Sequence, residues 1–220
     1  MKINIAIDGP SAAGKSTIAD VLAKKLGYTH LDTGAMYRSV AYKAIKDCIG
    51  VEDENAVVEM IDKMDLQMNP DGTIILDGED ITGKIRTSEI SMGASNVSKL
   101  KNVRKALVKM QQKISANGGY ILDGRDIGTV VLTDAPIKLF MVASAKARAD
   151  RRVKQDLEER GIVDDYDAIL EEIEKRDYQD SHRENSPLRK ADDAIEIDTS
   201  DLTLEESIET ITNIVMDKMK

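Results

Sequence analysis

Gly9-Pro10-Ser11-Ala12-Ala13-Gly14-Lys15-Ser16-Thr17 lies between a short β-branched run, Ile3-Asn4-Ile5-Ala6-Ile7, and a helical pattern from Lys15 to Leu26. Strand, glycine loop and helix in this order form the setting in which the spacing GxxxxGK[ST] has a mechanism. The glycines let backbone N–H groups wrap a phosphate, and the helix N-terminus adds positive potential there. Lys15, read as facing solvent, reaches the outer phosphates, and the Ser16 hydroxyl is an oxygen donor for Mg²⁺. The competing reading is a chance glycine-rich turn, which would not require the strand before it or the helix after it.

Outward from this loop, short apolar strands alternate with helical stretches. Tyr28 to Leu31 runs into Asp32-Thr33-Gly34 and a helix from Ala35 to Ile49, and residues 54–64 keep the helical period. Between Asp65 and Ile85 the texture changes. Leu66 and Met68, Ile74-Ile75-Leu76, and Ile81 are separated by Asn69-Pro70-Asp71-Gly72 and Asp77-Gly78-Glu79-Asp80, which reads as a small antiparallel meander inserted in the chain. The pattern then predicts one helix over 88–116, strands over 120–122 and 137–142, and a helix capped by Ser144 that reaches about Arg160. A further helix from Tyr166 to about Arg183, a fifth strand at Ile195-Glu196-Ile197, and a last helix behind a Thr203/Glu206 capping box complete it. The expected fold is α/β, a mainly parallel five-stranded sheet flanked by helices.

At 220 residues, with 41% hydrophobic and 32% charged residues, the chain suits one globular domain. No apolar run approaches the roughly 20 residues of a membrane span, and the N-terminus lacks a signal-peptide pattern, so a cytoplasmic protein is expected. Cys48 alone makes no internal disulfide, and with His30 and His182 it makes no zinc-ligand spacing. A net charge of −9 and 3% aromatics argue against a nucleic-acid coat or a base-stacking platform. A small-molecule partner is expected, met by local charge.

Such charge gathers at the predicted strand ends, where ligands of parallel sheets collect. Asp32-Thr33-Gly34-Ala35-Met36-Tyr37-Arg38 brings Arg38 toward the loop lysine, the alternative being a solvated surface arginine. Asp123-Gly124-Arg125-Asp126 is either a turn with a surface ion pair, or a site in which Asp123 holds Mg²⁺-bound water while Arg125 and Asp126 meet a phosphate and a base. Arg148, Arg151 and Arg152 share a helix face, as in a mobile lid or an exposed charged helix. Arg176, Asp180 and Arg183 share another, where a plain i,i+4 salt bridge competes with a binding role. Ser95 and Arg104 belong to no motif of their own. The guanine-reading segment Asn-Lys-x-Asp is absent, which disfavours a GTPase switch.

Taken together, DGPSAAGKST (8–17), DTGAMYR (32–38) and DGRDIGTVV (123–131) resemble bacterial cytidylate kinases. The likeness runs end to end and includes RTSEIS from Arg86, Asn102-Val103-Arg104, the 147–152 segment and the stretch from Arg176 to Leu188. It implies a P-loop nucleoside-monophosphate-kinase fold with a core (1–50, 100–145 and 185–220), a monophosphate-binding region with the β insert (about 51–99) and a helical lid (about 146–165). The implied reaction is ATP plus CMP or dCMP giving ADP and the diphosphate, with Mg²⁺ carried by ATP, in a monomer. The resemblance further implies that Gly9 to Thr17 hold ATP. Ser95, Arg104 and Asp126 would read cytosine, and Arg38, Arg125 and Arg183 would hold the acceptor phosphate. Thr33, Arg176 and Asp180 would surround the sugar, while Lys15, Arg148, Arg151 and Arg152 would serve the transferred phosphoryl group. Thr33 stands where many relatives carry Ser and keeps the hydroxyl. Kinases of UMP, AMP or shikimate, and a non-enzymatic nucleotide switch, are the competing readings.

Overall fold

A computed structural model describes residues 2–161 and 165–220. The chain runs through β1 (Ile5–Asp8), α1 (Lys15–Leu26), β2 (Thr29–Asp32), α2 (Thr33–Lys46) and α3 (Glu54–Lys63). It then forms β3 (Leu66–Met68), β4 (Ile74–Leu76), β5 (Glu79–Asp80), α4 (Ser88–Val97) and α5 (Lys101–Ile114). After β6 (Tyr120–Gly124) and a π-helical turn (Ile127–Val131) come β7 (Ile137–Val142), α6 (Ala145–Arg160), α7 (Tyr166–His182), β8 (Ile195–Asp198) and α8 (Leu204–Lys218). The end of the predicted lid, residues 162–164, lies outside the described residues.

The main sheet has the order β2-β6-β1-β7-β8, and every pair is parallel. Alternation along the strands divides two cores. Ile5 and Ile7 join Ile121, Leu139 and Met141 against α1 and α8, whereas Ala6, Leu31 and Leu122 face the larger cluster built with α2 to α5. Both faces are therefore covered, as a parallel sheet requires. Lys138, the one charge in β7, is 7% exposed and donates from Nζ to the Thr133 carbonyl (2.5 Å) and to Asp193 Oδ2 (2.8 Å).

The insert is the expected antiparallel meander, β3-β4-β5, with one correction: its third strand is Glu79–Asp80, and Ile81 follows it into the core. Lys43 and Lys46 of α2 pair with Asp77 and Glu79, tying the insert to the main body. The single helix expected over 88–116 is two. It breaks at Ser98 to Leu100 because its halves pack on different partners, α4 on α2 and α5 on α3. The Ser144 cap and the Thr203/Glu206 capping box are both formed.

The π-helical turn after β6 has no signal in the sequence pattern. Asp8 explains it: its Oδ1 and Oδ2 accept from the backbone N–H of Ile127 and Gly128, each at 2.7 Å. Burial pushes the Asp8 carboxyl up to about 6, although the two N–H groups pull the other way. In Asp8→Asn one of the two buried amides faces an NH₂ group. We expect a loss of about 1–3 kcal/mol, a drop in Tm of roughly 2–10 °C at pH 8. An unchanged melt would show that the clamp does not hold the turn.

Candidate functional site

The C-terminal ends of β1, β2 and β6 carry Asp8, Asp32 and Asp123, and Asp32 lies directly beside Asp123 in the sheet register. Above this edge a cleft of about 670 Å³ opens. Ser11 to Thr17, Thr33, Arg38, Ser95, Arg104, Asp123, Arg125, Asp126, Arg151, Arg152, Arg176, Asp180 and Arg183 all line it. Residues that the sequence scatters over 170 positions thus meet in one site.

Gly9 and Pro10 are not part of the lining. Gly9 has φ +151, and a Cβ there would fall 2.1 Å from the Met141 carbonyl oxygen of β7, so only glycine lets the loop leave β1 this close to its neighbour. Lys15 corrects the expectation of a solvent-facing lysine. It is 5% exposed and donates from Nζ to the Pro10 carbonyl (2.6 Å), folded back over its own loop. Burial, with Arg125 nearby, pulls its ammonium down to about 7.

Ser16 Oγ donates to Asp123 Oδ2 (2.8 Å). The other oxygen of Asp123 meets His30 Nε2 (2.8 Å), and His30 Nδ1 meets Asp20 Oδ1 (2.6 Å). Burial opposes charge on His30, but its two carboxylate partners outweigh it and push the imidazole up to about 9. Burial likewise opposes the Asp123 carboxylate, which His30, Lys15 and Ser16 hold below the usual range. Sequence reasoning missed His30, and no local signal could have found it, because its partners stand 10 and 93 residues away.

Across the cleft the arginines outnumber their counter-charges. Arg125 Nε donates to Asp180 Oδ2 (2.7 Å), and Arg183 NH1 lies 3.8 Å from Asp180 Oδ1. Burial, then Arg125, pulls the nearby Arg176 guanidinium down to about 10. Arg38 donates to Asp32 Oδ2 (2.8 Å), whose Oδ1 caps α2 at Ala35 N–H. Deeper in, Arg104 is ion-paired with Asp126, donates to the Ser98 carbonyl (3.1 Å) and lies 5.4 Å from the Tyr37 ring centroid. Arg183 NH2 is 3.7 Å from Asp126 Oδ1. Among the described residues, Arg38 Nε, Arg104 Nε and Arg183 NH2 are buried donors without a hydrogen-bond acceptor. Buried donors left unmatched are costly, so these guanidinium groups keep hydrogen-bonding capacity that the protein itself does not use.

The three arginines expected to act together on α6 separate. Arg148 is 4% exposed, stands outside the cleft lining, and holds Asp177 with both terminal nitrogens while donating to the carbonyls of Ala143 (2.9 Å) and Ser11 (3.1 Å). Arg151 donates to the Thr199 carbonyl, and Arg152 Nε donates to Asp156 Oδ2 (2.8 Å) at the cleft wall.

A cytidylate kinase family model matches residues 5–217. The chain is 50% identical over 216 residues to the cytidylate kinase of Caldicellulosiruptor bescii, covering 97% of this chain and 95% of that one. It is 46% identical over 222 residues to the cytidylate kinase of Bacillus velezensis, covering 100% and 99%. In fold it is similar to shikimate kinase from Bacteroides thetaiotaomicron, with a TM-score of 0.51, 11% identity and coverage of 99% and 98%. That last likeness concerns the fold alone, whereas the family match takes in every residue of the cleft, and on it the chain belongs to the cytidylate kinase family.

Proposed function

We propose that this protein transfers the γ-phosphoryl group of ATP to CMP or dCMP, giving ADP and CDP or dCDP. The observation that carries the reading is that one cleft is lined both by the glycine loop, Ser11 to Thr17, and by Arg38, Arg125, Arg176 and Arg183. Two anionic substrates must be brought together against their own repulsion, and a cleft with cations from the loop lysine and from four arginines in its lining can offset it.

In this reading Gly9 to Thr17 hold the ATP phosphates, and Arg38, Arg125 and Arg183 hold the acceptor phosphate in line. Thr33, Arg176 and Asp180 surround the sugar, and Ser95, Arg104 and Asp126 read the base. The core is 1–50, 100–145 and 185–220, the monophosphate-binding region with its β insert is about 51–99, and the lid is about 146–165. No covalent nucleophile is required, since positioning and charge stabilisation supply the acceleration. Ser16 Oγ and Asp123 Oδ2, two oxygens 2.8 Å apart, suit Mg²⁺, a hard cation that keeps waters and substrate phosphates as most of its ligands. Ser16 would hold it directly and Asp123 through water, and when bound it supplies charge neutralisation at the phosphates.

ADP release measured with ATP alone and with CMP, UMP, AMP or shikimate tests the reading. Strong stimulation by CMP or dCMP is expected, and stimulation by another acceptor alone would replace it. Arg151 and Arg152 serve the phosphoryl group once the lid closes, and Arg148 would join them only by leaving Asp177. Arg152→Ala is therefore expected to lower kcat by about 10²-fold while CMP affinity measured without ATP changes less than threefold. Loss of CMP affinity with kcat preserved would move Arg152 to the acceptor side.

A further inference from the structure

Four side chains beside the glycine loop form a closed circuit on α1. Ser16 and Asp20 stand four residues apart, on one face of that helix. Ser16 Oγ donates to Asp123 Oδ2 (2.8 Å), His30 Nε2 donates to the other oxygen, Oδ1 (2.8 Å), and His30 Nδ1 returns to Asp20 Oδ1 (2.6 Å). The sheet supplies the span. His30 is paired with Ile121, so Asp123, two residues further along β6, lies on the same face, the one covered by α1. His30 and Asp123 are largely buried, whereas Asp20 is exposed.

The direction of each bond follows from its partners. A carboxylate only accepts, so both His30 nitrogens donate, and Ser16 gives its one proton to Asp123 and keeps its lone pairs for a cation. Ser16 by itself would not fix this arrangement, because a carboxylate held at one oxygen can still turn about its Cβ–Cγ bond. A second donor at Oδ1, itself anchored to α1 through Asp20, stops that turn. We propose that His30 is a positioning residue for the cation site, which locks Asp123 against α1 and so keeps Ser16 and Asp123 in the arrangement suited to Mg²⁺. This rests on the reading of Ser16 and Asp123 as the Mg²⁺ side of the ATP site. Outer partners orient the groups nearest a metal, and losing one typically costs about tenfold to a hundredfold in metal affinity.

The test compares calorimetric binding of the β,γ-imido analogue of ATP with Mg²⁺ and in EDTA. In His30→Leu the Kd with Mg²⁺ is expected to rise by roughly tenfold, while the Kd in EDTA changes by less than about twofold. His30→Met is a second variant without a donor, should Leu fail to fold, and Tm is recorded for each. In His30→Gln the amide faces a carboxylate and can only donate to it, so the Kd with Mg²⁺ should return to within about threefold of the wild type. An unchanged Kd with Mg²⁺ in the folded Leu or Met variant would overturn the proposal. Equal weakening with Mg²⁺ and in EDTA would overturn it too, by making His30 a support of the loop as a whole, as would a Gln variant no better than Leu. A wild type that binds the analogue equally well with Mg²⁺ and in EDTA would instead overturn the reading of Ser16 and Asp123, so the two failures are distinguishable.

Discussion

Lys15→Ala is expected to lower CMP-stimulated ADP release by about 10³-fold, close to 4 kcal/mol in the barrier, while Tm stays at or slightly above the wild-type value. The two halves of this expectation have separate causes. The ammonium is the loop's own positive charge, and its hydrogen bond to the Pro10 carbonyl is one that phosphate oxygens can replace with charge-assisted ones. It is also a buried cation whose ammonium burial pulls down to about 7, so its removal relieves a desolvation cost that offsets the packing lost with its buried stem. Steady-state kinetics and a thermal melt on the same preparation check both. Turnover within tenfold of wild type in a folded protein would remove Lys15 from the phosphoryl site.

Asp126→Asn is expected to act on stability and base choice together. Asp126 is buried with Arg104 on one oxygen and Arg183 near the other, and it is the carboxylate between two guanidinium groups. The amide keeps the shape and removes the counter-charge, which should cost about 3 kcal/mol and lower Tm by roughly 5–10 °C. As an acceptor-only group, the carboxylate can take a proton from the cytosine amino group and repels a uracil carbonyl, whereas an amide can turn to satisfy either. The CMP to UMP ratio of kcat/KM should therefore narrow by about tenfold or more, chiefly by slower CMP turnover. A full loss of stability with the ratio intact would make Asp126 a structural partner of the arginines and take it out of base reading.

The glycine loop, the parallel sheet and the small antiparallel insert are legible in the sequence because each is a local matter. The loop depends on glycine spacing between a strand and a helix, the strands on short apolar runs, and the insert on turn signals at 69–72 and 77–80. The site is legible only as a set of candidates. Arg148 and Arg152 show why: a spacing of four puts both on one face of α6, yet Arg148 is closed off by Asp177 of α7 whereas Arg152 borders the cleft. Helical periodicity reports neighbours within a turn and says nothing of what packs against that turn. The same limit hid the break between α4 and α5, which comes from their docking on different helices. It also hid His30, whose role exists only where β2, α1 and the end of β6 converge. Which residue types can do this chemistry is determined by the sequence alone. Which of them face one another, and which lose water and so have their charges held or suppressed, is decided only when elements spread from Ser11 to Arg183 are brought over one sheet edge, because burial and proximity are properties of the packed chain.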